Sequence, residues 1–256
     1  LIQVNATEEF LRRQGYRYYF FPTRFEATAS SKTADVQLPS PRRVQPEFYL
    51  ARRRMTALEA IIRLSNRGFP FLPEAADLTD WKFHQLELLP DSAGPKFVFA
   101  HLILPHEPYI YRSDCSHREP YWPGRDDGVD SNLIKQAYIE QITCVNAKVR
   151  HLVEQLQDRS SVPPVILLLA DHGHGRLGRV VPELGQAPAE KVRERFDIFS
   201  AYFVPGHGPG TFYDSISPVN GIRASLASVF GLNLPKLQDL SHWSSSIYPY
   251  DFKLVP

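Results

Sequence analysis

Hydrophobic and polar positions along the chain alternate between short apolar runs and a helical period. "NATEEFLRRQG" from Asn5 carries Phe10 and Leu11 between charged residues and ends on Gly15, which predicts a short helix capped by Asn5 or Thr7. "YRYYFF" follows as an aromatic strand. The Ser, Thr, Pro and Arg text of residues 22–46 predicts a long surface excursion, and a helix is expected from Glu47 to about Asn66. Apolar runs at Phe97–Leu104 and Val165–Ala170, each entered through a Pro turn, predict strands buried on both faces. Between them, Ile134, Tyr138, Ile142, Val145, Val149, Leu152 and Leu156 recur at spacings of three and four, predicting an amphipathic helix over Ser131–Leu156. A third strand in "FDIFSAYFVPG" ends in Pro205-Gly206-His207, and a Pro-started helix follows from Ser217.

Strand, helix, strand, helix in this order predicts an α/β fold with a parallel-rich sheet sandwiched by helices. The two strands around the Ser131–Leu156 helix are expected in one sheet, with that helix covering it. All 256 residues are assigned to one domain, and no internal repeat is found.

Polar groups gather where the strands stop. Val165–Leu169 runs into Asp171-His172-Gly173-His174-Gly175, and Phe97–Leu104 runs into Pro105-His106-Glu107-Pro108. Open α/β sheets place ligands beyond the carboxyl ends of their strands, so these loops are candidate sites. If Gly173 breaks the strand, Asp171 and His172 can turn toward one point. A carboxylate and a neutral imidazole are ordinary ligands for zinc or manganese. Taken alone, the pair is better explained by Asp171 capping a turn with His172 as its partner. His174 is a further potential ligand. His106, confined between two prolines, suits an anionic substrate oxygen, whereas His101 inside the strand reads as core.

Composition narrows the function without choosing it. The 29 basic and 28 acidic residues give a net charge of +1, so no global field points to a nucleic acid, and the Arg clusters lack the aromatic interleaving of a nucleic-acid module. Cys115 and Cys144 leave a single bridge possible. No apolar run approaches the ~20 residues of a transmembrane helix, so the chain as given reads as soluble.

The order of "FVFAHLILPHEPY", the long helix, "PPVILLLADHG", "ERFDIFSAYFVPG", "SISPVNGIRASLASVFG" and "SSSIYPYDF" resembles the C-terminal half of the sulfatase-like branch of the alkaline phosphatase superfamily. The resemblance is to bacterial membrane-anchored proteins of the lipoteichoic-acid-synthase and phosphoethanolamine-transferase kind, and it covers nearly the whole chain. It implies a metal-dependent hydrolase or transferase acting on phosphate or sulfate esters, the substrate possibly lipid- or glycan-linked. The implied cofactor is a divalent metal ion (Zn, Mn, Mg or Ca). Asp171 and His172 match the metal ligands of the family's "DHG" motif, and His106 matches its substrate- or metal-contacting histidine.

In that family the nucleophile and an acidic metal ligand lie upstream of the segment that Leu1 resembles. Thr23, Thr28 and Thr33 read as loop residues, so the nucleophile is expected upstream of Leu1. The chain alone is expected to be inactive, to bind metal weakly and to expose strand edges. The resemblance further implies an extracytoplasmic protein, anchored to the membrane through an N-terminal part. The alternative is a noncatalytic domain of the same fold, used for binding or assembly.

Overall fold

The computed structural model describes residues 5–23, 25–38, 75–121, 131–173, 187–244, 248 and 250–255. They divide into two compact units, Leu1–Arg159 and Ser160–Pro256. The helix expected over 47–66 lies outside the described residues.

In the first unit, α1 (Ala6–Arg13) starts where the Asn5 side chain accepts the Glu8 N–H at 2.7 Å. Gly15, at φ 85°, reverses the chain into β1 (Arg17–Phe21). β1 is the centre of a three-stranded parallel sheet, flanked by β2 (Val36–Gln37) and β3 (Lys96–Ala100). Alternation along β1 sorts its aromatics onto two faces. Tyr18 stacks on Phe97 and Phe20 on Phe99 at ring separations of 5.1 and 5.7 Å. Tyr19 and Phe21 instead pack with Phe83, Leu86 and Leu152.

The stretch expected to wander over the surface is therefore partly structural. After a 3-10 turn at Glu26–Thr28 it returns to lay β2 beside β1, and Thr23 and Thr28 are both buried. Its polar composition concealed this because its buried groups are hydroxyls satisfied by one another.

Phe83 and Leu86 belong to α2 (Ala75–Glu87), and Leu152 to α3 (Ser131–Arg159). α3 packs on the parallel sheet as its apolar spacing predicts, through Val149, Leu152 and Leu156. Its most enclosed line, however, runs through Ala137, Gln141 and Cys144, to one side of the apolar stripe. That line faces β4 (Tyr109–Tyr111), which pairs antiparallel with β5 (His117–Tyr121). A disulfide between Cys115 and Cys144 ties this hairpin to α3. Across a separation of 29 residues such a bridge contributes about 3–4 kcal/mol by restricting the unfolded chain.

Asp80 on α2 closes the same corner. Its carboxylate accepts from Lys148 Nζ, Tyr111 Oη and His117 Nε2, each at 2.7 Å. Burial alone would raise the Asp80 pKa, but these three hydrogen bonds outweigh it and hold the carboxyl below its ordinary value. A group depressed in the folded state contributes stability that is complete above its unfolded value of about 4 and is lost as pH falls through the folded value. Acid unfolding followed by circular dichroism should therefore steepen below about pH 4, and Asp80→Asn should flatten that limb. An unchanged pH profile in Asp80→Asn would remove Asp80 from the acid response.

In the second unit, β6 (Ile166–Leu169) pairs antiparallel with β7 (Ser200–Phe203), Leu169 lying opposite Ser200. This corrects the expectation of one parallel sheet holding both apolar strands. Among the described residues β3 joins the parallel sheet and β6 a separate two-stranded one. The connection through α4 (Ala189–Phe196) returns to the same end of β6 that it left, as the Ala170 N–H donating to Phe199 O at 2.9 Å shows. An apolar run has the same pattern read in either direction, so periodicity carries no information on this reversal. β6 is also only partly buried, with Leu169 38% exposed.

α5 (Pro218–Phe230) begins as expected, Ser217 Oγ accepting the Asn220 N–H at 3.2 Å, and ends at Gly231 in the left-handed region. Short antiparallel strands β8 (His242–Trp243) and β9 (Lys253–Leu254) follow. The described residues are thus mixed α/β, with a small parallel sheet and helices. No helix among them is long and apolar enough to cross a membrane.

Candidate functional site

The end of β6 presents Asp171 and His172 side by side, with His172 Nε2 3.7 Å from Asp171 Oδ2. His172 Nδ1 lies 2.8 Å from Gly173 O. A carbonyl can only accept, so Nδ1 carries a proton, and in the neutral ring the Nε2 lone pair faces the carboxylate side. This is how ligating histidines are commonly fixed, the second nitrogen held by a backbone carbonyl.

Gly173 is required by close approach rather than by a turn. A Cβ there would lie 2.1 Å from Glu194 O and 2.9 Å from Asp197 O, both backbone atoms at the end of α4. The Gly173 N–H donates to Arg195 O at 2.8 Å, binding the strand-end loop to that helix. Arg195 itself feels the site: burial lowers its pKa, while the Asp171 carboxylate acts to raise it. The Asp171 side chain is 84% exposed, so its oxygens are open to a ligand.

His106 belongs to the first unit. Its Nδ1 donates to Glu107 O at 2.7 Å, which again leaves Nε2 as the outward nitrogen. Gln141, fully buried on α3, holds this loop. Its Oε1 accepts the Ile110 N–H at 2.7 Å, and its Nε2 donates to the carbonyls of Pro105 and His106 at 3.0 and 3.1 Å. The stiffness assigned to the flanking prolines is thus reinforced by a side chain that sequence reading passed over. A glutamine at the edge of a helical apolar stripe was its only signal.

His174 lies outside the described residues. Asp171 and His172 are adjacent, whereas His106 lies in the other unit. Among the described residues no group of three or more His, Cys, Asp or Glu side chains forms a metal-holding cluster. His207 repeats the pattern, its Nδ1 donating to Gly208 O at 3.0 Å, but antiparallel pairing puts it after the far end of β7 from Asp171.

A hydroxyl cluster at the carboxyl end of the parallel sheet also escaped the sequence. Thr23 Oγ1 and Thr28 Oγ1 are 2.6 Å apart, and Thr28 Oγ1 is 2.9 Å from His101 Nδ1. The Phe25 N–H donates to Thr23 Oγ1 at 3.0 Å. Thr28 is only 3% exposed, and its hydroxyl joins the ends of β1 and β3. Thr33, the remaining threonine of this stretch, donates to Glu8 Oε2 at 2.8 Å.

Comparison with known proteins yields no family model, curated protein or solved structure that matches this chain.

Proposed function

We propose that this chain supplies part of a metal-dependent hydrolase or transferase acting on phosphate or sulfate esters. Asp171 and His172 are the metal ligands, His174 is a third candidate, and His106 binds a substrate oxygen. The observation that carries the reading is the Asp171–His172 pair at the end of β6, with the imidazole tautomer set by Gly173 O so that Nε2 is the coordinating nitrogen.

The donors fit a divalent metal as two of its ligands, one carboxylate oxygen and one imidazole nitrogen. When bound, the metal would supply charge that stabilises an attacking alkoxide and the oxygens of the ester. The protein's own contribution is positional. Gly173 draws the loop against the end of α4, and Gly173 O fixes the His172 ring. His106, with Nδ1 committed to Glu107 O, meets an ester oxygen as a donor through Nε2 in its imidazolium form. An extracytoplasmic location also belongs to this proposal, supported by the Cys115–Cys144 bridge, since disulfides persist in oxidising compartments.

Equilibrium dialysis with zinc and manganese tests the ligands, and a screen of phosphodiesters and sulfate esters tests the chemistry. Asp171→Ala and His172→Ala should each lower metal affinity at least about tenfold. Unchanged affinity in both variants would overturn the site. Metal binding with no ester turned over by the whole enzyme would favour a noncatalytic domain.

A further inference from the structure

A concave surface lies within Ser160–Pro256, between α5, the turn at residues 208–211 and the segment at 234–236. Its volume is about 390 Å3, within the range of small-molecule sites. The chain enters it from the C-terminal end of β7, whereas Asp171 follows the end of β6 that lies beside the start of β7. None of its lining residues belongs to the candidate metal site.

Two cations line this cleft, Arg223 and Lys236, and no carboxylate does. Among the described residues neither cation has a carboxylate partner; uncharged groups hold both. Arg223 Nε and Nη2 donate to Pro235 O at 3.2 and 2.8 Å. Lys236 Nζ sits 4.5 Å above the Tyr213 ring. That ring is itself anchored, its hydroxyl donating to Asp239 Oδ2. Asp239 Oδ1 accepts from the Ser217 N–H at 2.8 Å and from Asn220 Nδ2 at 2.7 Å, and Asn220 is buried. Both cations are therefore held by uncharged groups, while the Asp239 carboxylate is engaged by Tyr213, Ser217 and Asn220. Ala224, Ala227 and Leu234 give the same cleft an apolar wall.

We propose that this cleft binds a phosphate-bearing small molecule, the phosphate lying between Arg223 and Lys236 and a short apolar stem lying on Ala224, Ala227 and Leu234. Two cations match the double charge of a phosphomonoester, and with Nε and Nη2 donating to Pro235 O the arginine meets its oxygens through the Nη1 side. The phosphate group is common to a free phosphomonoester and to a lipid headgroup. The site does not depend on the metal reading of Asp171 and His172, and the experiment separates the two.

Binding is measured by isothermal titration on the whole chain in the presence of a chelator, with inorganic phosphate and hexyl phosphate as probes. Vesicle sedimentation with phosphatidylcholine, with and without phosphatidic acid, follows. Both soluble probes should bind saturably at one site, hexyl phosphate more tightly. Arg223→Gln and Lys236→Met should each weaken them at least about tenfold, whereas Asp171→Ala should leave them unchanged. Lys236 makes only a ring contact, so Lys236→Met keeps the test open if Arg223→Gln fails to fold. Sedimentation with phosphatidic acid that Lys236→Met abolishes identifies a lipid source, and soluble binding without sedimentation identifies a free one. Absence of saturable binding, or binding that survives Lys236→Met, overturns the proposal.

Discussion

Gln141→Leu should destabilise the protein by about 3 kcal/mol or more, although it replaces a polar residue with an apolar one of similar size. Gln141 has no exposed surface, and its amide serves groups on both sides of the His106 loop. Removing it strands the Ile110 N–H and leaves the Pro105 and His106 carbonyls without their donor. Each buried group left unsatisfied costs about 1–3 kcal/mol, and the leucine has no room in which to recover that by burial. Gln141→Glu should cost at least as much, because a carboxylate keeps the acceptor for Ile110 but turns a second oxygen toward carbonyls. Urea unfolding of wild type and both variants measures the effect. A loss below about 1 kcal/mol in Gln141→Leu would mean that water or a shifted loop replaces the amide.

Gly173→Ala is the second large effect, and it should disturb stability together with the metal binding proposed for Asp171 and His172. The added methyl would stand 2.1 Å from Glu194 O, closer than any real contact, and both of its nearest neighbours are backbone oxygens that cannot rotate away. Either the strand-end loop or the end of α4 must move, at about 1–3 kcal/mol for forced overpacking. The loop carries the carbonyl that fixes His172, so the ring loses its orientation in the same displacement. Gly15→Ala provides the contrast: nothing lies within 4 Å of its Cβ position, and only its positive φ resists substitution. Denaturant unfolding and zinc dialysis should show Gly173→Ala impaired in both assays and Gly15→Ala in stability alone. Wild-type zinc affinity in a destabilised Gly173→Ala would remove His172 from the proposed metal site.

What could be read in the sequence is what local chemistry dictates. Asn5 before α1 and Ser217-Pro218 before α5 act as caps because side-chain oxygens satisfy helix-end N–H groups wherever the helix goes. The 131–156 period placed α3 to within three residues of its C-terminal end. Strand direction was not legible. Val165–Ala170 and Phe196–Gly206 have the same alternation in a parallel or an antiparallel pair, and only the path of residues 170–199 decides between them. Ala75–Glu87 was missed although Ala76, Phe83 and Leu86 fall on one helical face. Asp77, Thr79, Asp80, Lys82 and His84 dilute that signal, and two of these, Asp80 and Lys82, face neighbours rather than water.

At the candidate site, the polar residues that follow the apolar runs were legible and the groups that hold them were not. Asp171, His172 and His106 stand out because acids and imidazoles are unusual after apolar runs. Gln141 and Thr28 do not stand out, because a glutamine on a helix and a threonine in a Ser-rich stretch normally face solvent. The Cys115–Cys144 pairing was left open because a bridge requires Cα atoms close in space, here 5.0 Å apart, which spacing in sequence does not reveal.

The parallel pairing of β1 with β3 also sets an order of events during folding. Arg17 lies opposite Lys96, so this ladder closes a long loop before its first contacts repay the lost chain entropy. The β4–β5 hairpin needs only the short turn between Tyr111 and His117, and α3 forms from contacts within one segment. Helix and hairpin should therefore gain protection from hydrogen exchange early and offer an apolar surface on which β3 is already placed. β1 then docks last, and the Thr23–Thr28–His101 cluster appears only with that final step.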